Sequence, residues 1–283
     1  MSFTKITLTL PAAIALSLTL YFLGTLILLS MPSILTGRLF LYPKTLPSLY
    51  GSLVVSIIAV TVAFAFSLSL TVFLNEFAPR GVSEMLSLLI DTLAAFPTVI
   101  FGIWGLLVFA PYFREYVEMP LYTYLGFLPM FSYKPIQLQS ALLAGVVLGI
   151  MVTPYATAVM REAYRVLPVE LRETVLALGG GKWELVKVCL SGIRDAIVGG
   201  LTLSFGKAIG ETAAVALLIG GRAWFCPLTA PCEAIPSFIV SEIELAMIKP
   251  ELRSIIAGLA LLLFAVGALV LAVTKIIIRR WCV

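Results

Sequence analysis

Between Lys44 and Glu76 the chain reads TLPSLYGSLVVSIIAVTVAFAFSLSLTVFLN (residues 45–75), with no charged side chain. An α-helix rises about 1.5 Å per residue, so about 20 such residues cross a hydrocarbon core about 30 Å thick. The stretch is therefore read as a membrane-spanning helix. A barrel strand would alternate apolar with polar residues, and this run is apolar throughout.

Working outward, further charge-free stretches lie between Lys5 and Arg38 and between Lys134 and Arg161. Another, Ser254 to Thr274, is bounded by Arg253 and Lys275. Two more apolar segments contain charges: roughly 86–110, with Asp91 near its start, and roughly 196–220, with Lys207 and Glu211 inside. The expectation is an all-α membrane protein with six transmembrane helices. The 283-residue composition agrees: 61% of residues are hydrophobic, 12% are charged and the mean hydropathy is +1.09. A soluble domain carries about 25% charged residues, and a soluble body of this size has too much surface to hide so much apolar material. The first segment exceeds a usual signal-peptide core, and no A-x-A-like site follows it, so it is read as a retained helix.

The same inventory excludes several chemistries. The chain has no histidine, which removes His-based acid–base work, Ser-His-Asp triads and His-ligated metals. Its four cysteines form no CxxC pair, so no metal site is expected. The net charge of +4 needs no nucleic-acid partner. It fits Lys and Arg retained on the cytoplasmic side of a bilayer. With the N-terminus inside, the inner side holds Lys5, Arg80, Lys275, Arg279, Arg280 and the six basic residues of 161–195. The outer side holds fewer (Arg38, Lys44, Arg114, Lys134, Arg222, Lys249 and Arg253), so both termini are placed in the cytoplasm. No Walker A motif occurs: Gly206-Lys207 is followed by Ala208, and Leu201 stands where the first glycine belongs.

The longest inner loop, 161–195, is amphipathic. Pro168 is suited to opening a helix. Leu171, Val175 and Leu178 recur on one helical face, and Gly179-Gly180-Gly181 supplies a tight turn before a second helix near Lys182. Such a face fits a groove on a soluble partner, the bundle itself or the lipid interface.

This loop resembles the EAA signature of ABC-importer permeases. Glu173-Thr174-Val175 stands for the Glu-Ala-Ala triplet and Gly179 for its glycine, while Gly192 occupies the place of the terminal proline. Asn75–Arg80, the Phe101-Gly-Ile-Trp-Gly run, Thr153–Thr157 and the Ile209-Gly-Glu-Thr-Ala run look like phosphate-importer permeases, more of the PstC than the PstA type. The resemblance covers roughly 50–275. It implies a MetI-like permease core over 47–275, with a coupling loop at 161–195, after an N-terminal helix and outer loop (1–46) and before a cytoplasmic tail (276–283). It also implies phosphate transport across the cytoplasmic membrane of a prokaryote, without a cofactor. The implied partners are a second, PstA-like permease, two ATP-binding subunits and an extracytoplasmic phosphate-binding protein. Leu171, Glu173, Val175, Leu178 and Gly179 would then contact the ATPase.

Lys207 and Glu211 stand out without any resemblance. Each costs about 2.5–3.5 kcal/mol at the centre of a span, so an apolar residue is the default there. At i, i+4 they share a helical face and can pair. Two roles fit: an anion-attracting lysine set by a gating carboxylate, or an ion pair that fixes register between two permeases. Ser204 and Thr212 add hydroxyls to the pathway or serve as helix–helix contacts. The permease family usually has arginine at the position of Lys207, and lysine lacks its planar fork. Asp91 is read as an interfacial or capping charge. Cys226 and Cys232 lie in an outer loop whose spacing and oxidising side suit a small disulfide, the alternative being two free thiols. Competing functions are a permease for tungstate, molybdate or sulfate, an ion-coupled secondary transporter and a membrane enzyme. The transporter would need paired carboxylates or inverted repeats, and the enzyme converging catalytic groups.

Overall fold

The computed structural model describes residues 2–222 and 224–281, with side chains described over 11–222 and 224–278. The side chains of Lys5, Arg279 and Arg280, and the whole of Cys282, lie outside the described residues.

The described residues are mostly helical. Four long helices cross without a break of more than a π-turn or a kink: α1 (Ser2–Leu35), α3 (Thr45–Phe77), α5 (Thr98–Leu125) and α6 (Ala141–Arg165). A short α2 (Arg38–Leu41) joins the first two. The amphipathic α4 (Arg80–Ala94) lies between α3 and α5. Beyond α6 come α7 (Val169–Ala177), α8 (Lys182–Gly192), α9 (Arg194–Ile209), α10 (Ala213–Ile219), α11 (Ile235–Ile248) and the long α12 (Pro250–Trp281).

Composition and length alone would join α8 to α9, which meet at a 66° bend. Packing argues instead that the fifth crossing is α9 plus α10. A Cβ on Gly200 would touch the backbone of Ala156 at 3.2–3.3 Å. Ser204 Oγ reaches the Val152 carbonyl, and the Ser140 amide reaches the Leu218 carbonyl. The pairs 200/156, 204/152 and 218/140 run antiparallel at nearly constant register along α6 from its N-terminus to Ala156. A segment alongside a complete crossing is itself a crossing, and α8, with Lys182, Glu184 and Lys187, stays outside. The protein is a six-span, all-α membrane protein.

One span differs from its sequence reading. The third crossing is Thr98–Leu125, not 86–110. Ala95-Phe96-Pro97 interrupts the apolar segment: Pro97 caps α5, in extended backbone (φ −57°, ψ 128°), instead of kinking a span. The charges Arg114, Glu115 and Glu118 sit in the second half of α5. Glu118 is fully buried there and accepts from Ser140 Oγ, the N-cap of α6.

The central contact is α3 against α6. Gly145 and Gly149 let the backbones close in: an added Cβ would lie 2.6 Å from Ile58 and from Val62, respectively. Without a hydrophobic drive between helices in lipid, small residues of this kind provide the close packing that holds spans together. Val55, Ala59, Ala63, Val147, Leu148 and Met151 fill the seam. The outward faces of α1 and α12 show Leu16, Phe22, Leu28, Phe264 and Leu271 to the surroundings, as lipid-facing helices do.

Candidate functional site

The fifth crossing is broken at residues 210–212. Helix α9 ends at Ile209, Gly210 to Thr212 are non-helical and α10 resumes at Ala213. Glu211 therefore lies beyond the end of the helix that carries Lys207, which corrects the continuous helical face expected from the i, i+4 spacing. The two side chains still meet, with Lys207 Nζ 3.9 Å from Glu211 Oε2. Lys207 falls in the last turn of α9, where the carbonyl end of the helix dipole favours a cation.

The two charges face different surroundings. Glu211 is buried, its side chain 7% exposed against 36% for Lys207. Beside it is a cavity of about 10 Å³ between Ser52 and Ser56 of α3, Ala208 and Val215 of the broken span, and Ala234 and Pro236. That is about the room of one water molecule, so this seam is closed here. Lys207 turns away toward the ring of Tyr155, 5.7 Å from its centroid, and the Tyr155 hydroxyl donates to the Ala94 carbonyl at 2.8 Å. Non-helical backbone at this depth is tolerated only where protein buries it or a cavity receives it.

The two hydroxyls have different surroundings. Ser204 is fully buried and donates to the Val152 carbonyl on α6, so it joins two helices. Thr212 caps α10, half-buried, and its hydroxyl reaches the Gly210 carbonyl at 3.3 Å. Asp91, read from the sequence as an interfacial or capping charge, is half-exposed and pairs with the buried Arg161.

After α10 comes a loop, 220–234, drawn into the protein. Cys226 and Cys232 face one another with Cα atoms 5.8 Å apart, within the span a disulfide bridges. The loop carbonyls of Ala230 and Leu228 accept from the first amides of α6, Ala141 and Leu142. Helix N-termini need such acceptors when buried.

After α6, α7 and α8 form the predicted helix–turn–helix. Gly179 takes φ +81°, the left-handed conformation that glycine adopts without cost. The apolar stripe is split. Leu171 and Val175 pack inward against Tyr164, Leu185 and Cys189. Leu178 lies past the helix end, 84% exposed. Val169, Leu176 and Trp183 join it on the outside, and Glu173 is exposed too. Sequence reasoning missed the carboxylate that anchors this unit, Glu76, which accepts from Arg172 at 2.8 Å and from the Tyr164 hydroxyl at 2.9 Å. The available signal was its place as the first charge after a long apolar run.

Comparison with known proteins fits this architecture. Residues 70–281 match the family model for the binding-protein-dependent transport system inner membrane component. A Methanocaldococcus jannaschii protein named probable phosphate transport system permease protein PstC is 37% identical over 234 residues, covering 82% of this chain and 74% of that protein. The phosphate transport system permease protein PstC of Pasteurella multocida is 36% identical over 237 residues, covering 81% and 73%. Among solved structures, a bacterial ABC transporter involved in import of the acidic polysaccharide alginate aligns over 98% of both chains, with a TM-score of 0.62 at 16% identity, a likeness of fold alone. The chain belongs to the family of binding-protein-dependent transport system inner membrane components, as a multi-pass permease with the ABC-importer fold.

Proposed function

We propose that this chain is a permease subunit of an ATP-driven phosphate importer in a prokaryotic cytoplasmic membrane, with both termini inside. ATP is hydrolysed by two separate subunits, and a second, PstA-like permease and an extracytoplasmic phosphate-binding protein complete the assembly. The names of the relatives support the substrate class. The observation that carries the reading is the fifth span, which breaks at 210–212 with Lys207 and Glu211 at the break. A broken span with intramembrane charges marks a transport path, because neither is tolerated against lipid.

In this reading Lys207, the more exposed of the pair, draws the anion, and Glu211 holds the lysine and the closed seam until the path opens. Thr212 caps the resumed helix at that point, and Ser204 keeps α9 on α6. The turn at Gly179, with Glu173, Leu178 and their exposed neighbours, meets the ATP-binding subunit. Leu171 and Val175 fasten the turn to the bundle from behind.

The test is ATP-dependent uptake of labelled phosphate by the complete importer, with tungstate, molybdate and sulfate as competitors. Glu211→Gln should assemble normally and lose most uptake. Normal uptake by the assembled variant would return the pair to a register-fixing role. Preference for another oxyanion would overturn the substrate assignment.

A further inference from the structure

An importer of this kind needs its inner turn and its broken span to answer one another across most of the membrane, and one helix touches both. The final turn of α3, Phe73–Phe77, is π-helical, a geometry that shifts side chains out of the α-helical register and recurs at functional sites. It directs two consecutive residues onto the inner helix–turn–helix. Glu76, 7% exposed, takes Arg172 of α7 and the hydroxyl of Tyr164 on one oxygen. The Arg172 guanidinium also lies over the Tyr164 ring, 5.5 Å from its centroid. Phe77 takes α8: Lys182 Nζ is 5.4 Å from its ring centroid, and the Trp183 ring is 6.2 Å away. At the other end of the same helix, Ser52 and Ser56 line the closed seam beside Glu211.

We propose that Glu76 is a positioning residue that clamps the inner turn to α3, so that displacement of the turn is delivered along this helix to the wall of the Glu211 seam. The proposal rests on the importer reading above. A solvent-exposed ion pair would slip under load, since its partners exchange with water at little cost. Here Arg172 is 30% exposed but Glu76 is buried, so parting them strands a desolvated carboxylate. Gly145 and Gly149 interlock α3 with α6, which carries Tyr164, so the two helices respond as one body. Coupling between distant sites requires a mechanical element that both of them bias, and here it is a single helix with one end in each.

The experiment uses the complete importer in liposomes with its phosphate-loaded receptor, and reads phosphate imported per ATP hydrolysed. Glu76→Gln and Arg172→Gln should assemble and hydrolyse ATP at the basal rate. Their transport per ATP should fall at least about fivefold, the lower end of ordinary coupling between sites. Arg172→Lys, which keeps a cation within reach, should recover most of the loss. A wild-type ratio in either glutamine variant overturns the proposal, as does an Arg172→Lys variant no better than Arg172→Gln. Failure of both glutamine variants to assemble also overturns it, because the pair would then serve folding alone. A wild-type complex that imports no phosphate defeats the importer reading instead, whatever the Glu76 variants do.

Discussion

Arg161 donates from Nη2 to both carboxylate oxygens of Asp91 at 3.0 Å, tying the inner end of α6 to α4. The pair is lopsided: the Arg161 side chain is 9% exposed and that of Asp91 51%. The Nε and Nη1 atoms of Arg161 are buried without a partner, so Asp91 is the anion that makes this cation tolerable. Asp91→Asn should therefore lower the stability of the purified chain by about 1–2 kcal/mol, less than the roughly 3–5 kcal/mol for breaking a fully buried pair, because water reaches the aspartate side. The unfolding midpoint in detergent checks it. Asp91→Asn with an unchanged midpoint would mean that Arg161 finds another acceptor.

Close packing of α3 on α6 gives a second expectation, with an internal control. A methyl group on Gly149 would lie 2.6 Å from Val62 Cβ and 2.9 Å from the Ala59 carbonyl. Backbone on one side and a β-branched stem on the other leave little room to yield. Gly149→Ala should cost about 1–3 kcal/mol through overpacking. Gly206, on α9, has nothing within 4 Å of an added Cβ. There Gly206→Ala should be neutral or stabilise by up to about 1 kcal/mol, through the smaller entropy lost on helix formation. Similar effects from both substitutions in a thermal melt would show that helix propensity, not contact, governs them.

Much of this was legible in the chain. Charge-free runs located four crossings, and Gly179 announced the inner turn. The third crossing was misplaced because the apolar run 86–110 is interrupted at Pro97, which caps α5. The true span carries Arg114, Glu115 and Glu118 in its second half, where Ser140 satisfies Glu118. The break at Gly210–Thr212 was hidden for a related reason: Lys207 and Glu211 pair whether or not the helix continues between them. The Gly145–Gly149 spacing was a packing signal that could have been read. The Glu76–Arg172 and Asp91–Arg161 pairs join residues 96 and 70 positions apart, and no local pattern names such partners.

The outer loop offers a chemical test. Cys226 and Cys232 should be joined, so alkylation without reductant should leave both unmodified in an intact-mass measurement. The closed ring is small, and opening it by Cys226→Ser with Cys232→Ser should cost about 2 kcal/mol on loop-entropy grounds. The loss should appear first around α6, because Leu228 and Ala230 supply acceptors to its opening amides. Faster amide exchange at Ala141 and Leu142 than at mid-helix positions would locate the damage there. Alkyl adducts mapped to Cys226 and Cys232 on the untreated protein, beyond those on Cys189 and Cys282, would rule the bond out.

Glu233, between that loop and α11, gives a pH-dependent expectation whose sign can be worked out. It is 3% exposed and its Oε2 has no partner. Burial holds its carboxyl above the ordinary carboxylate range; Lys44 pulls it back and Glu242 adds to the rise. An acid whose folded-state pKa is raised binds its proton more tightly in the folded chain. Ionising it therefore costs stability, and the cost grows as pH climbs from the ordinary carboxylate range through the raised value. Glu233→Gln removes that cost. It should stabilise the protein at neutral pH, by on the order of 1 kcal/mol for a buried group with an unmet oxygen, and the gain should shrink to nothing under acid conditions. Lys44 adds a second arm. Its hydrogen bond to Glu242, at 2.6 Å, raises its pKa. Its contribution is thus complete below the ordinary lysine range and is lost as pH rises through the raised value. Because Lys44 offsets part of the cost at Glu233, the gain from Glu233→Gln should be larger in a Lys44→Gln background. Melting curves across pH for the two single variants and the double variant measure this. A gain from Glu233→Gln that stays constant with pH would mean that packing, and not the buried charge, sets the energetics of this corner.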